Sequence, residues 1–249
     1  IVRFLRLNRE RKHDSSLDSF AGRRIFEENF LRSWPVSVKE ISIVSRSTLK
    51  RLPLYLHLLE NFMSQGFENI SCTQIAREFD FDPTQVRKDL EVTGEVGTAR
   101  IGFRVASLVV RIKEFLGWNN ANDAFLVGAG NLGKALLGYK DFERYGLNIV
   151  AAFDKDSRKV GRKIFGKDVL PLSKLPGMVK RMNVRIGIVT VPARDAQMAV
   201  DLMLNAGVKA IWNFAPAPLR IPEGVILENA RLTQSLAVLT NKLTRKLKF

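Results

Sequence analysis

The sequence predicts an α/β chain in which a winged helix-turn-helix precedes a Rossmann-like, doubly wound parallel sheet and a C-terminal helix. Three observations predict this order: two short capped helices before residue 91, a glycine-rich turn from strand to helix near residue 128, and alternating apolar and helical stretches beyond it. The predicted divisions are an N-terminal extension at residues 1–43, a winged-helix domain at 44–118, a Rossmann domain at 119–231 and a terminal helix at 232–249.

The composition is that of an ordinary folded protein, but the charge is not. Of 249 residues, 46% are hydrophobic and 26% are charged, which is enough apolar material for a core. The net charge of +15 favours a polyanionic partner, with a basic solvated surface as the alternative. No apolar run approaches the ~20 residues of a membrane span. The lone Cys72 allows no internal disulfide or thiolate metal cluster, so we expect a cytoplasmic protein without a membrane or metal partner.

The first helix of the winged-helix domain follows an extension without sustained periodicity. We expect residues 1–43 to be weakly ordered, with a basic arm that helps to hold DNA as the alternative. From Ser45 onward, apolar residues recur at spacings of three and four and predict an amphipathic helix that ends near Gly66. The residues on its apolar face are Leu49, Leu52, Leu56, Leu59 and Met63.

Two capped helices come next. Ser71 and Gln74 form a capping box, and the helix that they begin carries Ile75, Ala76 and Phe79 on its inner side. Asp82 is a good N-cap for a second helix, Pro83–Leu90, whose Val86 and Leu90 face inward. Gln, Arg and Lys side chains can contact base edges and phosphates, so the pair predicts a DNA-reading helix-turn-helix, with a plain helical bundle as the alternative. The predicted DNA contacts of these helices are Ser71, Thr84, Gln85, Arg87 and Lys88.

A glycine-punctuated stretch, Gly94–Phe103, is typical of a two-stranded wing. We expect Arg100 and Arg104 to reach the DNA backbone or the minor groove from it. An amphipathic helix is predicted from about Ser107 to Leu116, with Leu108, Ile112 and Phe115 on one side and Gly117 just past its end. The polar residues 119–123 are the predicted linker.

The glycine-rich turn has the spacing that a dinucleotide pyrophosphate requires. Gly128 permits a tight turn, Gly130 lets the backbone approach phosphates, and Gly133 lets helix and strand pack closely. The helix N-terminus that follows offers N–H groups and a positive dipole end to an anion. The predicted contacts from this turn are Gly128, Ala129, Gly130, Asn131, Leu132 and Gly133.

Two later features strengthen this assignment. Asp154 follows Gly133 by 21 residues (154 − 133), close to the spacing of the acid that binds the adenosine ribose. Its charge favours NAD over NADP, although Lys155 and Arg158 weaken that preference. Thr190, Val191 and Pro192 end a later strand, where the chain passes near the nicotinamide half. A Rossmann-like domain that binds another nucleotide, such as coenzyme A, is the alternative.

An NAD-dependent dehydrogenase is the alternative of a different class. Such an enzyme needs a general acid–base near the nicotinamide. No histidine follows the glycine motif, and neither Tyr139 nor Tyr145 has a lysine four residues later, although another lysine could serve. We therefore predict no catalytic residues and no enzyme activity.

The rest of the Rossmann pattern consists of alternating strands and helices. The predicted strands are Ala124–Val127, Asn148–Phe153, Arg185–Val191 and Ala210–Asn213, and the predicted helices are Asn131–Tyr139, Ser173–Met182 and Arg194–Asn205. The terminal helix, Leu232–Leu247, has leucines on one face at spacings of four, three, four and four. Spacing alone fits equally a helix that folds back on its own domain and one that docks on a second protomer.

The series of motifs resembles the Rex family of bacterial redox-sensing transcriptional repressors. The matching motifs, in collinear order over about four-fifths of the chain, are Gln85–Leu90, Gly94–Phe103, Gly128–Gly133, Thr190–Pro192 and Asn213–Pro216. The resemblance implies a homodimer on palindromic double-stranded operator DNA that senses the NADH/NAD⁺ ratio and leaves DNA when NADH binds. It also implies that the terminal helix is a domain-swapped dimerisation helix.

Three positions depart from the family pattern, whose wing usually contains Gly-x-Arg-Gly-x-Gly-Tyr. Ala99 stands where that arginine is expected and Arg100 follows it, which on an extended segment turns the arginine to the opposite face. Phe103 lacks the tyrosine hydroxyl, and Arg231 stands where an aspartate is often found. In the family, the tyrosine and the aspartate relay cofactor state to the DNA-binding heads. A repressor of this kind that has lost redox switching is therefore a further alternative.

Overall fold

The computed structural model of the protein describes residues 44–230 and 232–247, which divide into two compact units, residues 44–105 and 106–247. The predicted extension at 1–43 and the departure at Arg231 lie outside the described residues. The domain boundary that we predict at residue 118 stays a prediction.

The first unit is helical with one small sheet. Its elements are α1 (Arg46–Ser64), β1 (Asn69–Ile70), α2 (Cys72–Phe79), α3 (Pro83–Glu91) and β2 (Phe103–Arg104). The caps form as predicted: Ser71 and Gln74 make a reciprocal capping box, and the Asp82 carboxylate accepts from the N–H groups of Thr84 and Gln85. Inward side chains of all three helices are fully buried, among them Leu52, Leu56, Leu59, Ile75, Val86 and Leu90.

The buried face of α1 differs from the prediction at its edges. Leu49 and Met63 are 41% and 46% exposed, whereas Thr48 and Tyr55 are buried. The physical reason is hydrogen bonding. The hydroxyl groups of Thr48 and Tyr55 both donate to the Asp89 carboxylate in α3, so the buried face of α1 is shifted toward these two residues. Phe79, predicted to face inward, is half-buried and stacks on Phe81.

The wing is shorter than predicted and pairs differently. Within Gly94–Phe103 the antiparallel pairing is one bridge, Thr98 with Gly102, around a tight turn. Phe103 and Arg104 instead pair with β1. Gly102 explains the change, because a Cβ atom there would lie 2.3 Å from the Ile70 carbonyl oxygen, so only glycine lets the chain run this close to β1.

The second unit begins with a helix and continues as an alternation of strands and helices. Its elements are α4 (Val105–Phe115), β3 (Asn122–Val127), α5 (Asn131–Leu137), α6 (Asp141–Arg144), β4 (Leu147–Asp154), β5 (Lys163–Ile164), β6 (Lys167–Pro171), α7 (Leu175–Met182, after a 3₁₀ turn at Leu172–Lys174), β7 (Ile186–Val189), α8 (Ala193–Ala206), β8 (Ala210–Asn213), β9 (Ile226–Asn229) and α9 (Leu232–Leu247). Gly117 follows α4 with a positive φ of 71°, as predicted. Asn122 and Asp123, predicted as linker, belong to β3.

The sheet has the order β5-β6-β4-β3-β7-β8-β9, and every pair except β5–β6 is parallel. Without the short β5, this is the doubly wound dinucleotide-binding order, with β3 as first strand and the order reversing between β3 and β7. Ligands of such sheets bind outside the carboxyl ends of the strands at that reversal. The strands β5, β6 and β9 and the short α6 were not predicted.

Helices cover both faces of the sheet. One face buries α7 and α8 against residues that include Phe125, Phe153 and Val189, and the other buries Leu137 of α5 against Leu126 and Ile188. The terminal helix has the predicted bounds, and all of its described side chains, from residue 233 onward, are exposed. Its leucine stripe therefore does not fold back on the described residues of its own chain.

Candidate functional site

The outward face of α3 carries the predicted DNA-contacting side chains. Thr84, Gln85, Arg87 and Lys88 are all exposed, while Val86 and Leu90 between them are fully buried. The Asp82 cap and Pro83 set the start of the helix and thereby the direction in which this face points. The result is one helix face with a hydroxyl, an amide and two cations.

A buried carboxylate holds the inner side of this helix. Asp89 is fully buried and accepts from the Thr48 and Tyr55 hydroxyl groups, from two nitrogens of Arg51 and from the Gln85 side-chain amide. Burial raises the pKa of Asp89, but the hydrogen bonds from Arg51, Tyr55 and Thr48 outweigh it, so the pKa lies below its ordinary value. The same environment raises the pKa of Tyr55 through burial and its bond to Asp89.

The prediction from sequence missed this carboxylate. The signal was its spacing: Asp89 lies three residues after Val86 and one before Leu90, so it shares their inward face. Two predicted DNA contacts are also engaged within the unit. The Ser71 hydroxyl belongs to the capping box of α2, and the Gln85 amide nitrogen donates to Asp89 at 3.0 Å.

The wing presents its arginine from a turn. Arg100 is exposed and has a φ of 66°, a left-handed conformation that a residue with a side chain rarely adopts. The inference that the arginine has changed strand face is therefore wrong, because it needed an extended segment. Arg104 is exposed on β2. Phe103 is buried with the tip of its ring against Gly97, where a Cβ atom would lie 3.0 Å from the ring carbon Cζ.

The glycine-rich turn of the second unit closes tightly at two of its glycines. Gly128 has a φ of 108°, and a Cβ atom there would meet the Thr190 backbone at 2.8 Å. A Cβ atom on Gly133 would lie 2.0 Å from the Gly128 carbonyl oxygen. At Gly130 a Cβ atom would meet nothing within 4 Å. The first two glycines are explained by the protein itself, whereas Gly130 leaves open space beside the start of α5.

The predicted residues at the ends of three neighbouring strands come together at this turn. The Thr190 hydroxyl, after β7, donates to the carbonyl oxygens of Val127 and Gly128 at 3.1 and 2.7 Å. Asp154, the last residue of β4, is buried, and its Oδ2 accepts from the Ala129 N–H at 2.8 Å. Val191 contributes a methyl group that a Cβ atom on Gly128 would approach to 2.9 Å. Asn131, Leu132 and Pro192 lie exposed along the same edge, the last as N-cap of α8.

The cation that pairs with Asp154 is Lys159, which was not among the residues predicted from the sequence. Lys159 donates from Nζ to Asp154 Oδ2 at 2.9 Å. Burial raises the pKa of Asp154, but the hydrogen bonds from the Asp156 N–H, the Lys159 ammonium and the Ala129 N–H outweigh it. The pKa therefore lies below its ordinary value, and the group is held as a carboxylate. Lys155 and Arg158, predicted to stand near the ribose, are paired with Asp195 and Asp156 respectively.

A second polar cluster, also missed, lies at the ends of β8 and β9. Asn213 is buried; its Oδ1 accepts from the Ala215 N–H and its Nδ2 donates to Asn229 Oδ1, both at 2.9 Å. The Ala230 N–H in turn donates to the Asn213 carbonyl oxygen. This cluster fixes the chain just before α9 to the same sheet edge that carries the glycine-rich turn.

Over the described ranges 44–230 and 232–247, no helix is long and apolar enough to cross a membrane. The same residues contain no group of three or more His, Cys, Asp or Glu side chains placed to hold a metal ion.

A capped basic helix with a wing, in one chain with a dinucleotide-type turn, defines the class of ligand-responsive transcription regulators.

Comparison with known proteins identifies the family. The protein named redox-sensing transcriptional repressor Rex from Treponema denticola is 44% identical over 77% of this chain and 91% of its own length. Its namesake from Carboxydothermus hydrogenoformans is 42% identical over 81% of this chain and 97% of its own length. The chain belongs to the Rex family of redox-sensing transcriptional repressors.

Solved structures and family models agree with both units. The structure of RSP, a Rex-family repressor, in complex with β-NAD⁺ and operator DNA has a TM-score of 0.76 and 34% identity, covering 83% of this chain and 97% of that one. The RSP complex with β-NADH has a TM-score of 0.76 and 33% identity, with the same coverage. The family described as "Putative DNA-binding protein N-terminus" matches residues 43–91, and the one described as "CoA binding domain" matches residues 119–217.

Proposed function

We propose that this protein is a homodimeric repressor that binds palindromic operator DNA through α3 and leaves it when NADH binds at the glycine-rich turn. The observation that carries the proposal is the combination, in one Rex-family chain, of a basic outward helix face and an open turn at Gly130. Operator DNA of a bacterium lies in the cytoplasm, so we place the protein there.

DNA binding rests on the two exposed cations of α3 and the two of the wing. Arg87 and Lys88 stand on the face that would enter the major groove, and Arg100 and Arg104 would reach phosphates or the minor groove beside it. The Ser71 hydroxyl is held in the capping box, so Ser71 would contribute through its position at the start of α2 rather than through a free hydroxyl. Each phosphate that a cation neutralises releases counterions, so binding weakens steeply with salt.

NAD(H) is the cofactor that the residues fit better than coenzyme A. The pyrophosphate would lie over Gly128–Gly133, with Ala129, Asn131 and Leu132 beside it and Thr190, Val191 and Pro192 toward the nicotinamide. Asp154, a buried carboxylate at the end of β4, would accept a hydrogen bond from a ribose hydroxyl group, whereas the phosphate that coenzyme A carries on its ribose offers no such donor. The RSP complexes with β-NAD⁺ and β-NADH support the same choice.

Dimerisation rests on α9. Leu236, Leu239 and Leu243 are 57%, 64% and 53% exposed, which leaves an apolar stripe without a partner in the described chain. A stripe at this spacing packs on another helix. A second protomer that supplies this partner also gives the twofold symmetry that a palindromic operator requires.

Redox control requires NADH to bind the DNA-free arrangement more tightly than the DNA-bound one, because equal affinity shifts nothing. Phe103 lies where the family tyrosine would supply a hydroxyl group. Its ring is buried against Gly97 within the wing, so this position packs the first unit here instead of offering a polar contact. A repressor without redox switching is therefore the one alternative that the experiment must separate.

The test is a gel shift on palindromic DNA at fixed salt with NAD⁺, NADH and NADPH compared. We expect NADH to release the DNA and NAD⁺ to leave it bound. Lys88→Ala should reduce the slope of affinity against salt by about one if Lys88 contacts a phosphate, and Lys180→Ala, an exposed lysine on α7, should leave it unchanged. NADH binding without DNA release would show a repressor that has lost switching, and failure to bind any palindrome would overturn the proposal.

A further inference from the structure

Asp154, the carboxylate proposed to bind the ribose, already accepts three hydrogen bonds from its own chain. Asp154 Oδ2 accepts from the Ala129 N–H and from Lys159 Nζ, and Oδ1 accepts from the Asp156 N–H, at 2.8, 2.9 and 2.9 Å. A carboxylate offers about four acceptor positions in all. Three are taken, so one remains for two ribose hydroxyl groups unless a present donor gives way.

Of those three donors, the lysine is the one that can move. The two backbone N–H groups belong to the glycine-rich turn and to the turn after β4, which the fold holds in place. Lys159 is a flexible side chain that is 34% exposed, whereas Asp154 is 8% exposed. The ammonium group is therefore the more exposed member of the pair, and a ribose that enters from solvent would meet it before the carboxylate.

Neighbouring cations do not share this position. Arg158 donates twice to Asp156, and Lys155 donates to Asp195 in the first turn of α8. In the stretch 155–159, the charge that compensates Asp154 is that of Lys159.

We propose that Lys159 determines how strongly the dinucleotide site discriminates against a 2′-phosphate on the adenosine ribose. With the lysine in place, an incoming phosphate meets a neutral ion pair and a cation that can turn toward it. Without the lysine, it meets an uncompensated carboxylate. The proposal rests on the proposed function, because it assumes that the ribose of NAD(H) lies at Asp154.

The test measures the affinities of NADH and NADPH by nicotinamide fluorescence for the wild-type dimer, Lys159→Ala, Lys159→Arg and Arg158→Ala. The two dinucleotides share the nicotinamide half, so the ratio of their dissociation constants reports the ribose end alone. An opposite charge within about 4–6 Å shifts a pKa by about one unit or more, which is a tenfold change in an equilibrium constant. We therefore expect Lys159→Ala to raise the ratio of the NADPH dissociation constant to that of NADH about tenfold. Lys159→Arg should keep the wild-type ratio.

Arg158→Ala is the matched control. It also removes one positive charge, one residue away from Lys159, but from a side chain that is paired with Asp156 instead of Asp154. Its ratio should stay within about twofold of wild type, since a paired surface charge contributes little. An unchanged ratio in Lys159→Ala, or an equal rise in Arg158→Ala, would overturn the proposal and leave the proposed function standing. If the wild-type protein binds neither dinucleotide, the proposed function fails, and this proposal with it.

Discussion

The buried carboxylate Asp89 offers the sharpest test of how α3, the proposed DNA-reading helix, is held. Asp89→Asn keeps the shape of the side chain and removes its charge, so Arg51 loses its ion-pair partner. Breaking a buried ion pair from one side costs about 3–5 kcal/mol. The Arg51 side chain is 21% exposed and Asp89 is 0% exposed, so water compensates part of the loss on one side only. We expect the lower end of that range, about 3 kcal/mol.

Peptide-resolved hydrogen exchange measures this effect where it occurs. The free energy of opening for α1 and α3 amides should fall by about 3 kcal/mol, while β3 and β4 amides keep theirs. The matched control is Glu114→Gln, which also breaks an ion pair with an arginine, but between side chains that are 45% and 48% exposed. Such exposed pairs contribute about 0–1 kcal/mol. Equal effects of the two substitutions, or a loss below 1 kcal/mol in Asp89→Asn, would refute the role given to Asp89.

Acid titration checks the same group independently. The folded-state pKa of Asp89 is lowered, so its stabilisation is complete above the unfolded value of about 3.9 and is lost as pH falls through the folded value. Asp89→Asn should therefore show a weaker fall in α3 protection on acidification than the wild type. An identical acid profile would show that another group controls it.

Three further outcomes are expected. Gly133→Ala should destabilise the second unit by about 3 kcal/mol, because its Cβ atom would lie 2.0 Å from a backbone oxygen of the same turn, whereas Gly130→Ala faces open space and should weaken NADH binding at an unchanged melting temperature. Leu239→Glu should give monomers in sedimentation velocity, whereas Asn241→Glu should remain dimeric. If both variants are dimers, the leucine stripe does not have the role given to it. Arg100→Gly should raise stability by about 1 kcal/mol by relieving the positive φ while weakening DNA binding, and Arg100→Ala should weaken binding without the gain in stability.

The elements that could be predicted from sequence are those with local signals. The caps at Ser71 and Asp82 depend on residues within three positions of one another, and both formed as predicted. The glycine spacing likewise predicted the turn after the first strand of the sheet. In contrast, β5 and β9 lie at the sheet edges and have only two and four residues, too few to show a strand periodicity in the sequence.

The polar clusters show the same division. Asp89 has the spacing of a buried residue, but its five donors come from α1 and α3, so the fold was needed to identify it. Lys159 lies five residues from its partner, and nothing in the sequence ranks it above Lys155 or Arg158. The fold distinguishes the three cations, because Asp156 and Asp195 hold Arg158 and Lys155.

The bond between Asn213 and Asn229 holds the chain shortly before α9 at the sheet edge where we propose that the cofactor binds, so α9 would turn about a point on that edge. Two residues separate Asn229 from the first residue of a helix of 16 residues, which at 1.5 Å a residue is about 24 Å long. A rotation of about 5° at that point displaces the far end by about 2 Å, well beyond the tolerance of a hydrogen bond. If α9 docks on a second protomer, as proposed, a change at the sheet edge too small to disturb the core would reach that protomer as a large displacement.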